Sequence, residues 1–171
     1  PDIVEKKKLR LMILGLPNTG KSTIINKLSK RNAAKAADKP GLTRQQLWVK
    51  VDQDTEILDT PGVMPPKIIK FEHGQWLSAI HAIPGNIVNP EIPSCYIIET
   101  LISKKSDFFK ELYKFETLEL TLIEALDHIA KVRGCLKNKA EYDYDRVYNL
   151  ILNDFRSGKL GQLSFGVPPK S

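Results

Sequence analysis

Residues Leu11–Ser22 read LMILGLPNTGKS, and most of the predicted fold follows from this segment. The apolar run at its start predicts a buried strand, and Gly15 to Ser22 match the pattern G-x-x-x-x-G-K-[S/T]. Gly15 and Gly20 let the backbone bend so that successive N–H groups point at an anion, and the following helix adds the positive end of its dipole. The stretch therefore predicts a phosphate-binding loop rather than a turn that binds nothing.

The side chains of this loop supply the charge and the metal ligand that a nucleotide needs. Lys21 offers a mobile cation to the β and γ phosphates, and Ser22 offers a hydroxyl to Mg²⁺. The predicted nucleotide-binding residues are Asn18, Thr19, Gly20, Lys21, Ser22, Thr23 and, further along the chain, Gly62.

Two further segments follow the loop in the order that a nucleotide switch requires. Thr43 follows Pro-Gly, and Asp59-Thr60-Pro61-Gly62 ends a predicted strand. Thr43 completes a Mg²⁺ shell when a γ-phosphate is present, the Gly62 N–H bonds that phosphate, and Asp59 holds Mg²⁺ through water. We predict catalytic roles for Lys21, Thr43 and Gly62 and metal ligation by Ser22, Thr43 and Asp59. An ordinary turn residue is the alternative for Thr43.

The composition is that of an ordinary globular protein. The 171 residues are 42% hydrophobic and 27% charged, and no apolar run approaches the roughly 18 residues of a membrane-spanning helix. The first five residues do not form a signal peptide, so the predicted location is the cytoplasm. Cys95 and Cys135 form no C-x-x-C pair and are interpreted as buried apolar residues.

The net charge of +6 is unevenly distributed. Residues 1–52 carry 12 Lys and Arg against 4 Asp and Glu, residues 53–130 carry 6 against 12, and residues 131–171 carry 8 against 4. Basic ends of this size fit a nucleic-acid surface, and a merely solvated face is the alternative.

Periodicity and chain breakers divide the chain into two predicted domains. Apolar patterns predict strands over 9–14, 46–51 and 55–58 and helices over 21–30, 72–83, 94–103, 106–114, 117–132 and 142–157. The densest run of Pro, Gly and Asn lies between Pro84 and Pro93. We predict an α/β fold, a three-layer αβα P-loop GTPase portion over residues 1–90, followed by a small all-helical C-terminal domain over residues 91–171.

Three motifs resemble one family. GLPNTGKST, PGLTR and LDTPGV look like the circularly permuted GTPases of the ribosome-biogenesis GTPase A (YlqF) type. Residues 131–136 (KVRGCL), 142–144 (YDY) and 154–161 (DFRSGKLG) are similar to that family's C-terminal domain. The resemblance covers most of residues 9–165.

The resemblance implies a function. It implies a monomeric protein that binds GTP or GDP with Mg²⁺, hydrolyses GTP and assists assembly of the large ribosomal subunit. Ribosomal RNA would contact the basic residues Lys131, Arg133, Lys137, Arg156 and Lys159. Asn18 matches an asparagine that related GTPases use to coordinate K⁺, and hydrogen bonding within the loop is its alternative role.

Guanine recognition is the largest departure from this family. It needs Asn/Thr-Lys-x-Asp, and residues 104–107 (KKSD) and 138–141 (NKAE) do not match. Permuted relatives carry the motif upstream of the phosphate loop, so we expect this chain, which begins at Pro1, to be a fragment. Specificity for GTP is therefore implied by the resemblance alone.

Catalysis is the second departure. Many GTPases place Gln after Asp-x-x-Gly to orient water, but position 63 is Val. The family implies a hydrophobic residue here and slow hydrolysis that the ribosomal partner accelerates. Val63 by itself favours the alternative, a nucleotide-gated RNA-binding module with negligible hydrolysis. An unpermuted GTPase of tRNA modification or of an RNA-chaperone type ranks last, because it would need the guanine motif downstream.

Overall fold

The structure, a computed structural model, describes residues 8–30, 34, 45–68, 70–84, 88–138 and 141–164. The chain divides into two compact units, residues 1–69 with 80–84 and residues 70–79 with 85–171. This division differs from the predicted boundary after residue 90, because residues 70–79 pack with the C-terminal helices.

A mixed three-stranded sheet forms the first unit. Its strands are β1 (Leu9–Ile13), β2 (Leu47–Lys50) and β3 (Thr55–Asp59), in the order β1-β3-β2. β1 runs parallel to β3, and β2 runs antiparallel to it. Helix α1 (Lys21–Ser29) follows β1. Ile13 pairs with Asp59, so the phosphate loop and the Asp-x-x-Gly segment leave the same edge of the sheet.

Only a small core holds this unit together among the residues described. Ile25, Val49 and Ile57 are buried with Ala34 between α1 and the sheet. The prediction that the first strand is buried is wrong, since Leu9 is 55% and Met12 57% exposed. In the described part of the chain β1 pairs only with β3, so its apolar side chains have little to pack against.

The second unit is mainly helical. Its elements are α2 (Phe71–Ala79), α3 (Glu91–Ser103), α4 (Asp107–Tyr113), α5 (Leu122–Arg133), β4 (Leu136–Asn138), β5 (Glu141–Tyr142) and α6 (Tyr144–Arg156). One apolar core joins these helices around Ile97, Ile129 and Ile151. No helix within the described ranges is long and apolar enough to cross a membrane.

The short hairpin of β4 and β5 corrects the prediction that everything after residue 90 is helical. β4 and β5 pair antiparallel with Leu136 opposite Tyr142. Two features exclude helix here: Gly134 ends α5 at a φ of 64°, and Asp143 caps α6 by accepting the Arg146 N–H.

Two helix ends also differ from their predicted positions. Thr121 and Glu124 form a reciprocal capping box, so α5 begins at Leu122 and not at residue 117. α2 ends at Ala79, earlier than the predicted residue 83, and His81 adopts a φ of 59°. Local hydrogen bonding thus overrides apolar periodicity at the start of α5, and a left-handed residue follows the end of α2.

Candidate functional site

The loop between β1 and α1 has the backbone of an anion-binding turn. Asn18 has a φ of 57° and Gly20 a φ of 84°, so the chain bends through left-handed conformations before the helix begins. A Cβ at Gly15 would lie 3.3 Å from Thr19 Oγ1. The Thr19 hydroxyl donates to the Leu16 carbonyl at 2.8 Å, which closes the loop. Both motif glycines therefore stand where a side chain would strain or crowd the turn.

Lys21 places its ammonium group inside this loop. The residue is 8% exposed, and Nζ donates to the Gly15 carbonyl at 3.1 Å and to the Leu16 carbonyl at 2.6 Å. Because both partners are neutral carbonyls, the positive charge is not cancelled by a carboxylate there. A phosphate entering the loop would find a cation together with the N-terminus of α1.

The Asp-x-x-Gly segment packs directly on the phosphate loop. A Cβ on Gly62 would lie 2.5 Å from the Pro17 nitrogen and 2.6 Å from its Cα, so only glycine fits. The Val63 N–H donates to the Gly15 carbonyl at 3.0 Å, and the Thr60 hydroxyl donates to the Ile13 carbonyl at 2.6 Å. Movement of one segment must therefore displace the other.

Ser22 and Asp59 form the candidate magnesium site. The Ser22 hydroxyl donates to Asp59 Oδ2 at 3.0 Å. Asp59 is 1% exposed, and within the described residues its Oδ1 has no hydrogen-bond partner. An unpartnered buried carboxylate oxygen is costly unless a cation or an ordered water satisfies it. Hard oxygen donors beside a phosphate loop fit Mg²⁺, which takes one or two protein ligands and completes its shell with phosphate and water.

No larger metal cage competes with this pair. The described residues contain no group of three or more His, Cys, Asp or Glu that could hold a metal ion. The donor set therefore fits an ion bound together with a nucleotide better than a resident structural metal.

Asn18 reaches a segment distant in sequence. Its Nδ2 donates to the His81 carbonyl at 2.9 Å, and both residues have positive φ. This bond leads out of the phosphate loop, so hydrogen bonding within the loop and K⁺ coordination, the two roles expected for Asn18, both stay predictions. No sequence pattern predicts this contact, because 63 residues separate the pair.

Two of the predicted binding residues do not join this cluster of described contacts. Thr43 lies outside the described residues, so its role stays a prediction. Thr23 is exposed on α1, one residue beyond Ser22. Val63 is 60% exposed and carries no polar side-chain atom that could orient water.

Three of the five residues predicted to bind RNA make ordered internal contacts. Arg133 Nη2 lies 3.3 Å and Lys159 Nζ 2.8 Å from Asp154. Arg156 donates through Nε to the Ala79 carbonyl and through Nη2 to the Ser78 carbonyl, each at 3.0 Å. These side chains stabilise the second unit, and the Asp154 carboxylate already compensates part of the positive charge of Arg133 and Lys159.

The other two predicted RNA contacts are more available to a ligand. Lys131 is exposed on the last turn of α5. The Lys137 ammonium lies 3.9 Å from Asp145, a surface pair that holds it weakly.

Asp154 is a structural residue that sequence reasoning missed. It is 3% exposed and also accepts a 2.9 Å hydrogen bond from the Tyr113 hydroxyl. Burial and this hydrogen bond raise the pKa of Tyr113. A signal existed, since Asp154 interrupts the buried stripe of α6 that contains Val147 and Ile151. A carboxylate on an apolar stripe must find partners inside the fold.

Known proteins are similar to this chain in sequence and in fold. Residues 10–86 match the family described as 50S ribosome-binding GTPase. A ribosome biogenesis GTPase A of Bacillus cereus is 38% identical over 165 residues, which cover 96% of this chain and 56% of that protein. The protein of the same name from Thermotoga maritima is 31% identical over 159 residues, 93% of this chain and 56% of that protein.

Solved structures agree with these relatives. A GDP-bound YlqF superposes with a TM-score of 0.62 at 27% identity, over 95% of this chain and 62% of that one. A GNP-bound YlqF from T. maritima gives 0.59 at 27% identity, over 95% and 60%. The chain thus spans a little over half the length of the curated relatives it matches.

Proposed function

Because this chain belongs to the ribosome biogenesis GTPase A (YlqF) family, we propose that it binds and hydrolyses GTP as a switch in assembly of the large ribosomal subunit. One observation carries this proposal. Within the described residues, the buried Asp59 carboxylate has one oxygen without a hydrogen-bond partner, and its other oxygen accepts from Ser22, the residue after Lys21. The Lys21 ammonium, the metal ligands Ser22 and Asp59 and the N-terminus of α1 lie together where the phosphates of a nucleoside triphosphate would bind.

Each residue of this site has a distinct role. Lys21 exchanges its two carbonyl partners for the β and γ phosphates, and Gly20 and Thr19 offer backbone N–H groups to them. Gly62 offers its N–H to the γ-phosphate. When that phosphate is lost, the segment that packs on Pro17 loses one partner, and Thr43 is released as well.

Ser22, Asp59 and Thr43 would hold Mg²⁺, with Asp59 acting through water. A bound Mg²⁺ neutralises charge on the β and γ phosphate oxygens. The chain's own contribution is to bury the Asp59 carboxylate and to fix its orientation by the Ser22 hydroxyl.

Hydrolysis by this chain is slow without a partner. Val63 provides no amide to orient the attacking water, so the water must be ordered by another component. We assign Asn18 to a K⁺ ion beside the phosphates, where it would offset developing charge. Its bond to His81 fixes the side chain within the loop.

The partner in this proposal is the large ribosomal subunit and its RNA. Lys131 and Lys137 are exposed, and no carboxylate of the described residues holds either of them closely. Arg133, Arg156 and Lys159 lie on the same unit and make internal hydrogen bonds or ion pairs. A monomer that works on ribosomal subunits acts in the cytoplasm. The relatives' name refers to ribosome biogenesis, which supports this assignment.

A second candidate function rests on Val63. A nucleotide-gated RNA-binding module would use the same loop and switch segments without needing a water-orienting group. It differs from the first function in one measurable property: its bound GTP is not turned over when the subunit is present.

A single-turnover GTPase assay with the purified chain in saturating excess over GTP separates these functions. We expect slow hydrolysis alone, faster hydrolysis with large subunits in K⁺ than in Na⁺, and stimulation that falls as total salt rises through counterion release. Asn18→Ala should remove the K⁺ advantage and keep subunit binding, whereas Asn149→Ala on α6 should change neither. If subunits bind but the GTP is not hydrolysed, the gated module is favoured. Equal hydrolysis rates in K⁺ and in Na⁺ would exclude the proposed role of Asn18 in catalysis.

A further inference from the structure

The second unit contains an open cavity of about 520 Å³ that the proposed nucleotide site does not use. It lies between the N-terminal ends of α3 and α6 and the hairpin of β4 and β5. We call it the tyrosine cleft. Its lining residues are Glu91, Lys137, Glu141, Tyr142, Tyr144, Asp145 and Tyr148.

Three aromatic rings follow one another along the cleft. The ring centroids of Tyr142 and Tyr144 lie 6.2 Å apart, and those of Tyr144 and Tyr148 lie 6.4 Å apart with an interplanar angle of 25°. The Tyr144 hydroxyl donates to Asp127, which fixes the middle ring. Fixed aromatic rings around a cavity form a surface that attracts cations.

The charge of the cleft is negative. Among the described residues that line it, Glu91, Glu141 and Asp145 oppose one cation, Lys137, whose ammonium lies 3.9 Å from the Asp145 carboxylate, which is 83% exposed. Burial raises the pKa of Tyr148, and negative charge from neighbouring groups that include Glu91 and Asp145 raises it further. The whole chain has a net charge of +6, so this local excess of carboxylates is unusual for the molecule.

One polar group in the cleft lacks a protein partner. Tyr148 is 9% exposed and lines the cavity, and within the described part of the chain its hydroxyl makes no hydrogen bond. The residue as a whole is buried but its hydroxyl oxygen stays accessible, so a ligand or water in the cavity can bond it.

Helix capping explains only part of this arrangement. Glu91 and Asp145 lie in the first turns of α3 and α6, where acidic groups stabilise the helix dipole. Glu141 lies on a strand, and the dipole accounts neither for its position nor for the Tyr148 hydroxyl.

We propose that the tyrosine cleft binds the cationic side chain of an arginine or lysine in a basic polypeptide segment. The guanidinium or ammonium group packs on the tyrosine rings, pairs with Glu141 and Asp145 and donates to the Tyr148 hydroxyl. The three carboxylates repel RNA phosphates from this cleft, so among its lining residues only Lys137 serves the RNA contact proposed above. The site goes beyond the proposed function, since it involves no nucleotide.

Calorimetric titration of the whole chain without nucleotide tests this site. The probes are a short peptide of alternating glycine and arginine and the same peptide with citrulline, which keeps the shape of arginine and removes its charge. We expect only the arginine peptide to bind. Glu141→Gln with Asp145→Asn should raise its dissociation constant at least tenfold, and so should Tyr142→Leu. A matched control, Glu116→Gln with Glu119→Gln, removes the same charge from exposed positions outside the cleft and should have little effect.

Several results would overturn the proposal. Equal affinity for both peptides, an equal loss in the control variant, or no loss with Tyr142→Leu would each exclude a cation site built from the tyrosines. Spermidine binding as tightly as the peptide would indicate a site for free polyamines. Binding of a single-stranded RNA that the cleft variants weaken would indicate an RNA site. If the double variant fails to fold, the single variant Glu141→Gln is measured instead. We expect it to lose several-fold in affinity for the arginine peptide, and an unchanged affinity would overturn the proposal.

Discussion

Asp59 is the residue in which function and stability conflict. Its buried Oδ1 has no hydrogen-bond partner among the described residues, which penalises the nucleotide-free protein, and the same carboxylate is proposed to hold Mg²⁺ through water. We predict that Asp59→Asn raises the opening free energy of β3 in the nucleotide-free chain by about 1 kcal/mol, since it removes a buried charge. The same variant should weaken nucleotide binding at least tenfold in Mg²⁺ and hardly at all in EDTA.

Hydrogen exchange of the β3 amides and calorimetry measure these two effects. Asp52→Asn is the matched control, because Asp52 is an exposed carboxylate in the turn before β3. It should change the opening free energy by less than about 0.5 kcal/mol and leave binding unchanged. A destabilised Asp59→Asn with normal Mg²⁺ dependence would assign Asp59 to structure alone.

At the scale of elements, Arg156 anchors one helix end to another. Its guanidinium donates to the last two carbonyls of α2, at Ser78 and Ala79, from the C-terminal end of α6. We predict that Arg156→Ala lowers the opening free energy of α2 by about 2 kcal/mol, because charged hydrogen bonds are lost and helix-end carbonyls are left without them. Hydrogen exchange of the α2 amides measures this loss.

Lys131→Ala is the control for Arg156, because Lys131 is an exposed cation on the same unit. This variant should leave the opening free energy of α2 unchanged and lower the affinity for ribosomal RNA. The opposite pattern, normal exchange in α2 and weakened RNA binding for Arg156→Ala, would return Arg156 to a direct role in RNA binding.

On the scale of the whole molecule, the sequence predicted what local spacing determines. The phosphate loop, α1 and the Asp59–Gly62 segment follow from residues adjacent in the chain, and the P-loop GTPase class is confirmed by the family match. The exposure of β1 could not be predicted, because burial depends on what packs against a strand. The bonds of Asp154 and Arg156 join distant segments, and a hairpin as short as that of β4 and β5 carries almost no periodic signal.

The missing guanine motif leads to a prediction for this chain. The contacts described at the site face phosphate and metal, and no Asn/Thr-Lys-x-Asp occurs in the sequence. We predict that the chain prefers GTP over ATP by less than about a hundredfold, or about 2.7 kcal/mol. Competition of each nucleotide against a fluorescent GDP gives the ratio, and a larger preference would require a guanine-binding group elsewhere in the chain.

The proposed function depends first on the binding of nucleotide phosphates by Lys21 and its loop. Calorimetric titration of the chain with GDP in Mg²⁺ tests it most directly, with Lys21→Ala compared with Lys27→Ala, an exposed lysine on the same helix. We predict that Lys21→Ala loses at least a hundredfold in affinity, that Lys27→Ala binds like the unmodified chain, and that both keep the unmodified circular dichroism spectrum. A folded Lys21→Ala variant with unchanged affinity would contradict the account.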